Sequence, residues 1–294
     1  LHLSIRRQRQ MCIRDSIEDR RGQSYSQSSS NSNLGGGILQ ILLSPGSFKS
    51  KIIIILLMVL LGGGASLGGL FGNGTSQPYQ STQVTRTNKT HVDDADAQFV
   101  SKVLATTEDH WHKVFQAEGR TYQEPKLVFY TGRTKTGCGV GQASAGPFYC
   151  PTDKKIYLDM SFYKELTTKY KASGDFAMAY VIAHEVGHHV QNELGILGKY
   201  HRMQQGLSEK ERNAISVRIE LQADYLAGVW ARSIQDRNLL DIGDIEEAMN
   251  AAHAVGDDTL QEQAYGYSVP DSFTHGTSEQ RMRWFKRGLS LIHI

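Results

Sequence analysis

The stretch Asp175–Gly195, DFAMAYVIAHEVGHHVQNELG, constrains the fold of this chain more than any other. Its residues read as a helix, with Ile182, Val186 and Val190 on one apolar face and Ala177, Val181 and Gln191 continuing the face that carries His184 and His188. Residues four apart on a helix lie one above the other, so His184 and His188 can direct two imidazole nitrogens at a single ion. Glu185 lies beside them, where its carboxylate can take a proton from an ion-bound water without ligating the ion. Gly187 weakens the helix but lets another backbone approach closely. The apolar face belongs in a core, so the rest of the fold has to be arranged around this helix.

A catalytic zinc site takes three protein ligands and keeps one position open. Two are His184 and His188; the candidate source of the third is Arg218–Asp224, RIELQAD. Glu220 and Asp224 are again four apart, so both carboxylates face the same way. One can ligate while the other accepts a hydrogen bond from a ligand histidine, and the spacing leaves open which does which. Ile219, Leu221, Ala223, Leu226 and Ala227 surround them with apolar side chains. Such a helix is buried, and buried carboxylates require partners.

Several further motifs accompany these: Cys138-Gly-x-Gly, Gly146-Pro-Phe-Tyr-Cys150-Pro, His184-Glu-Val-Gly-His-His-Val-Gln191, Glu220-Leu-Gln-Ala-Asp224 and Thr274-His-Gly-Thr-Ser-Glu-Gln-Arg281. Together they closely resemble the neutral zinc metallopeptidases of bacterial envelopes, of gluzincin type, from about Glu18 to Gly288. The resemblance implies a zincin fold, peptide-bond hydrolysis with one zinc per chain, Glu220 as third ligand and Glu185 as general base. It departs at Tyr225, where many relatives are expected to carry cysteine, and a second disulfide is not expected here.

Elsewhere the chain reads as segments. Residues 1–16 and 289–294 fit nothing around them and are set aside as foreign, of the kind adaptor-derived translation leaves. Residues 17–51 read as a polar, disordered segment. Ile52–Phe71 is twenty residues without a charge, enough to cross a bilayer. Residues 1–51 carry eight Lys/Arg against three Asp/Glu, which predicts a single-pass signal anchor with a cytoplasmic N-terminus. The domain at 93–288, beyond a linker at 72–92, is then periplasmic or extracellular. Residues 52–294 hold 24 Lys/Arg against 27 Asp/Glu, which gives no electrostatic case for nucleic acid. Cys138 and Cys150 are close in sequence, and an oxidising compartment predicts a disulfide between them.

Within the domain, a helix is expected from Asp93 or Asp94 to about Glu118, with strands at Lys126–Thr131, around Gly146–Cys150 and at Lys155–Asp159. Further helices are expected at Met160–Lys171, from the capping box at Ser208 to about Asp236, from Asp244 to about Ala254, and from Thr277, with a Gly-rich loop between Gly195 and Ser208. Few strands and many helices, segregated along the chain, predict α+β with a small sheet. His110 and His112 are two apart and are not expected to ligate. The Gln142–Cys150 segment is the candidate edge strand for an extended peptide.

His275 sits just ahead of the last capped helix, and Arg281 falls in that helix's first turns, an unfavourable place for a cation without a partner. His275, ahead of Arg281, is therefore expected to contact the oxyanion of peptide hydrolysis. The reading is thus a membrane-anchored zinc peptidase, endopeptidase ahead of exopeptidase, acting on a peptide or protein substrate. The alternatives are a catalytically silent zincin that binds peptides through the same groove, or a tethered module without metal. An intact Glu185 speaks against the silent zincin, because a structural site has no use for an unliganded base.

Overall fold

A computed structural model of the chain describes residues 16–23 and 95–290. In order these form β1 (Ile17–Asp19), α1 (Ala95–Ala117), β2 (Lys126–Tyr130), β3 (Arg133–Thr136), β4 (Gly139–Gln142), β5 (Phe148–Cys150) and β6 (Lys155–Asp159). There follow α2 (Ser161–Thr168), α3 (Asp175–Glu193), α4 (Ile196–Met203), α5 (Glu209–Gln235), α6 (Asp244–Ala254), α7 (Asp257–Tyr265) and α8 (Ser278–Leu289). The class is α+β, mostly helical with a small sheet. Among the described residues no helix is long and apolar enough to cross a membrane. The run Ile52–Phe71, the linkers on either side of it, residues 1–15 and residues 291–294 lie outside the described residues.

The sheet has the order β1-β2-β6-β5. β1 and β6 run parallel to β2 on either side, and β5 closes one edge antiparallel to β6. β3 and β4 form a separate hairpin, which Cys138 and Cys150 tie to the end of β5 through a disulfide with Cα atoms 5.8 Å apart. β2 and β6 read as near-continuous apolar runs because helices and neighbouring strands cover them, leaving Leu127, Val128, Phe129, Ile156 and Leu158 fully buried.

Helix α3 lies at the centre and is buried almost from end to end. It packs against α5, α6, α1 and β5. Gly187 marks the α3–α5 crossing, where an added Cβ would stand 3.0 Å from the Ala223 carbonyl oxygen. The α5–α8 crossing is tighter: a Cβ on Gly228 would stand 2.1 Å from the Phe285 oxygen, and one on Gly288 would stand 2.0 Å from the Tyr225 oxygen. Capping boxes start α5 at Ser208 and α8 at Thr277.

Beyond β3, β4 and α7, which the sequence does not announce, three segments depart from the sequence expectation. Ile17–Asp19 falls in the stretch expected to be disordered, yet it pairs with β2, and Ile17 packs on the core. The Gly-rich region after Gly195 contains α4, whose Leu197 is buried. At the other end, Leu289 belongs to α8 and packs on the core rather than to a foreign tail. His110 and His112 stay away from the centre: burial lowers the His110 pKa to about 4, and His112 Nε2 lies 2.8 Å from Glu124.

Candidate metal centre

The two histidines of α3 meet two carboxylates of α5 across the Gly187 crossing. His184 Nε2 lies 3.2 Å from His188 Nε2 and 3.1 Å from Glu220 Oε2, and His188 Nε2 lies 3.4 Å from Glu220 Oε1. The opposite ring nitrogens are engaged elsewhere. His184 Nδ1 is 2.8 Å from Asp224 Oδ1, and His188 Nδ1 is 2.9 Å from Gln191 Oε1.

These partners fix both tautomers. Asp224 is an acceptor, so His184 Nδ1 carries the hydrogen. The Gln191 amide nitrogen donates to the Ile219 carbonyl at 2.8 Å, which turns its oxygen toward His188. Each ring therefore presents an Nε2 lone pair to the other and to the Glu220 carboxylate. With both rings neutral, three acceptors converge with no hydrogen between them, an arrangement that repels itself unless a cation, whether a proton or a metal ion, occupies the middle. The distances suit one: ligands at about 2.0–2.1 Å from a tetrahedral zinc stand about 3.3–3.4 Å apart.

The electrostatics agree. Burial alone would lower the His184 pKa, but the Asp224 and Glu220 carboxylates raise it to about 10, so this corner favours positive charge. Burial would raise Glu220, yet His188 and His184 hold it well below the usual carboxylate range. Asp224 is fully buried; Arg281 and His184 overcome its desolvation and hold it at about 2. Glu185 lines the cleft beside the histidines, and burial pushes its carboxyl up against the pull of His188 and His184.

Arg281 has a buried acid as its main partner. Its Nε and Nη2 each donate to Asp224 at 3.0 Å, and Nη1 donates to the Val255 carbonyl at 3.1 Å. These bonds use three of its five N–H groups and hold Asp224 in place behind His184, while Arg281 also borders the cleft. His275 does line the cleft, half-exposed, with Nδ1 3.2 Å from Asp257 Oδ1. Asp257 Oδ2 also accepts the backbone N–H groups of Thr274, His275 and Gly276 at 2.6–2.9 Å, so the loop is held to the start of α7.

Tyr180 escapes sequence reasoning, and Gln191, already placed on the histidine face, had no role assigned to it. Tyr180 donates to Asp224 at 2.5 Å, and Gln191 orients His188. Their positions, four before His184 and three after His188, put them on the ligand face, which is the one signal available. His189, next to a ligand, turns away: its Nε2 donates to the Gln123 carbonyl at 2.6 Å, and its Nδ1 accepts from the Tyr149 hydroxyl at 3.0 Å. Tyr149 belongs to β5, so α3 also secures the edge strand.

Above the histidines opens a cleft of about 560 Å³. Phe148 and Tyr149 of β5, Leu197 and Tyr200 of α4, and Leu260 and His275 line it. Residues 6–292 match the protein family described as "Putative neutral zinc metallopeptidase". The chain belongs to that family. Among family relatives, "Uncharacterized protein YpfJ" of Escherichia coli (strain K12) is 51% identical over 274 residues, covering 93% of this chain and 91% of the relative. "Uncharacterized protein Rv2575" of Mycobacterium tuberculosis (strain ATCC 25618 / H37Rv) is 43% identical over 178 residues, covering 57% of this chain and 59% of the relative. No solved structure matches. In this family setting, the His184, His188 and Glu220 cluster is a site that could bind zinc.

Proposed function

We propose that the protein is a zinc-dependent peptidase that cleaves peptide bonds in the cleft above His184 and His188. The observation that carries this reading is the convergence of two imidazole lone pairs and one carboxylate beneath an open cleft, with an unliganded glutamate beside them. His184, His188 and Glu220 would hold one zinc ion. Bound there, zinc would acidify a water molecule and polarise the scissile carbonyl.

Glu185 takes the water proton and delivers it to the leaving amine. Its raised pKa suits a group that must both accept and release a proton. Asp224 keeps the His184 hydrogen on Nδ1, and Gln191 does the same for His188. The outer edge of β5, at the margin of the sheet, offers backbone groups to an extended peptide, with endopeptidase action as the corresponding mode. His275, turned by Asp257 and facing the cleft, is the donor for the developing oxyanion. The apolar run Ile52–Phe71 is proposed to attach the domain to a membrane.

Zinc content separates ligand from support. Glu220→Ala should strip the ion, whereas Asp224→Ala should cost roughly 10–100-fold in affinity or activity. Elemental analysis of the purified variants, with chelator titration, measures both. A larger loss from Asp224→Ala than from Glu220→Ala would reverse their roles.

A further inference from the structure

Strand β1 precedes the apolar run in sequence, whereas every strand and helix packed with it follows that run. β1 is bound closely to the fold. The Leu127 N–H donates to the Ser16 carbonyl and the Arg20 N–H to the Phe129 carbonyl, both at 2.8 Å, in parallel register from Ile17↔Leu127 to Asp19↔Phe129. Lys155 donates to Glu18 at 2.8 Å, and the Arg20 guanidinium donates to the Lys135 carbonyl at 2.8 Å.

A single crossing would set about 30 Å of hydrocarbon between the two flanks of the run. Hydrogen bonds of this kind require about 3 Å. Both cannot hold. We propose that residues 16–23 and the metal-binding fold stand on the same face of the membrane, so that the run Ile52–Phe71 does not carry the chain across it. The proposal rests on membrane attachment and not on hydrolysis.

Three observations favour the pairing over the crossing. Without β1, β2 becomes a bare edge, with the Leu127 N–H and the fully buried Phe129 carbonyl unpaired. Next, Arg20 and Arg21, counted above among the cations that retain an N-terminus in the cytoplasm, pair instead with Glu18 and Asp19 at 2.7 Å. Finally, the all-apolar part of the run is its first ten residues, Ile52–Leu61, and the rest is glycine-rich. The run is long enough to cross, but its second half is far less apolar than a uniform span. The Cys138–Cys150 disulfide then puts both segments in an oxidising compartment.

The test uses the full chain in a Cys12→Ser background, expressed in bacteria, with Gln23→Cys and Ile242→Cys made separately. Both positions are exposed. A membrane-impermeant maleimide applied to intact spheroplasts should label the two to the same extent, before lysis. Labelling of Ile242→Cys before lysis and of Gln23→Cys only after it overturns the proposal. Contact is read directly with Glu18→Cys and Lys155→Cys in one chain, which a short bismaleimide should join in whole cells. Two reactive thiols that never cross-link also overturn it. Carbonate extraction of the same membranes is scored apart: release of the protein overturns the attachment on which the proposal rests, and retention supports it. None of these readouts depends on peptidase activity.

Discussion

Glu185→Gln is expected to lower peptide hydrolysis by about 10²–10⁴-fold, the range that general acid–base groups supply, while zinc content and melting temperature stay at the parent level. The expectation follows from what Glu185 does not touch. His184, His188 and Glu220 converge on the ion position, and Glu185 lines the cleft beside them. An amide of the same shape leaves the site packed but cannot take a proton. His184→Ala is the comparison, because it should lose metal and activity together. Parallel measurements of turnover on a peptide library and of bound zinc decide the assignment. Loss of metal from Glu185→Gln as complete as that from His184→Ala would make the glutamate a ligand. Full turnover would place the base elsewhere.

The second large effect concerns stability. Arg281→Met should destabilise the fold by about 3–5 kcal/mol, since it strands the Asp224 carboxylate in a site with no access to water. For a domain of this size the midpoint should fall on the order of 10 °C. The double variant Asp224→Asn with Arg281→Met should be less destabilised than Arg281→Met alone, because no unpaired charge remains. Urea unfolding of the three proteins, with metal chelated throughout, gives the comparison. A cost for Arg281→Met no greater than that of a surface substitution would mean that another group neutralises Asp224.

The candidate ligand pairs were legible because their spacing is local, although that spacing left open which of Glu220 and Asp224 ligates. His184 with His188 and Glu220 with Asp224 are pairs four apart on buried helices, and the i, i+4 rule carries them without knowledge of the fold. The capping boxes at Ser208 and Thr277 are equally local, and both begin helices where expected. The partner of Arg281 was not legible for the opposite reason. That partner lies 57 residues away on another helix, and nothing near Arg281 in sequence announces a buried acid. β1 was missed in the same way: three residues pair with a strand more than a hundred positions later. Helix α4 is short, and its flanking glycines at 195 and 206 read as loop. Fold class needed only the distribution of strands and helices, while β1 and the metal centre's outer support needed tertiary contacts.

The dependence of the centre on α8 also sets an order in time. The three candidate ligands have all been synthesised by residue 220, but the arginine that neutralises the acid behind His184 comes at 281, on a helix that seats only where Gly228 and Gly288 meet. A chain still emerging from the ribosome or a translocation pore therefore carries ligands without their support. Support for His184 should arrive only once α8 has been made. A chain stopped before Ser278 should accordingly bind zinc weakly and cleave nothing, and α8 supplied as a separate peptide should restore both.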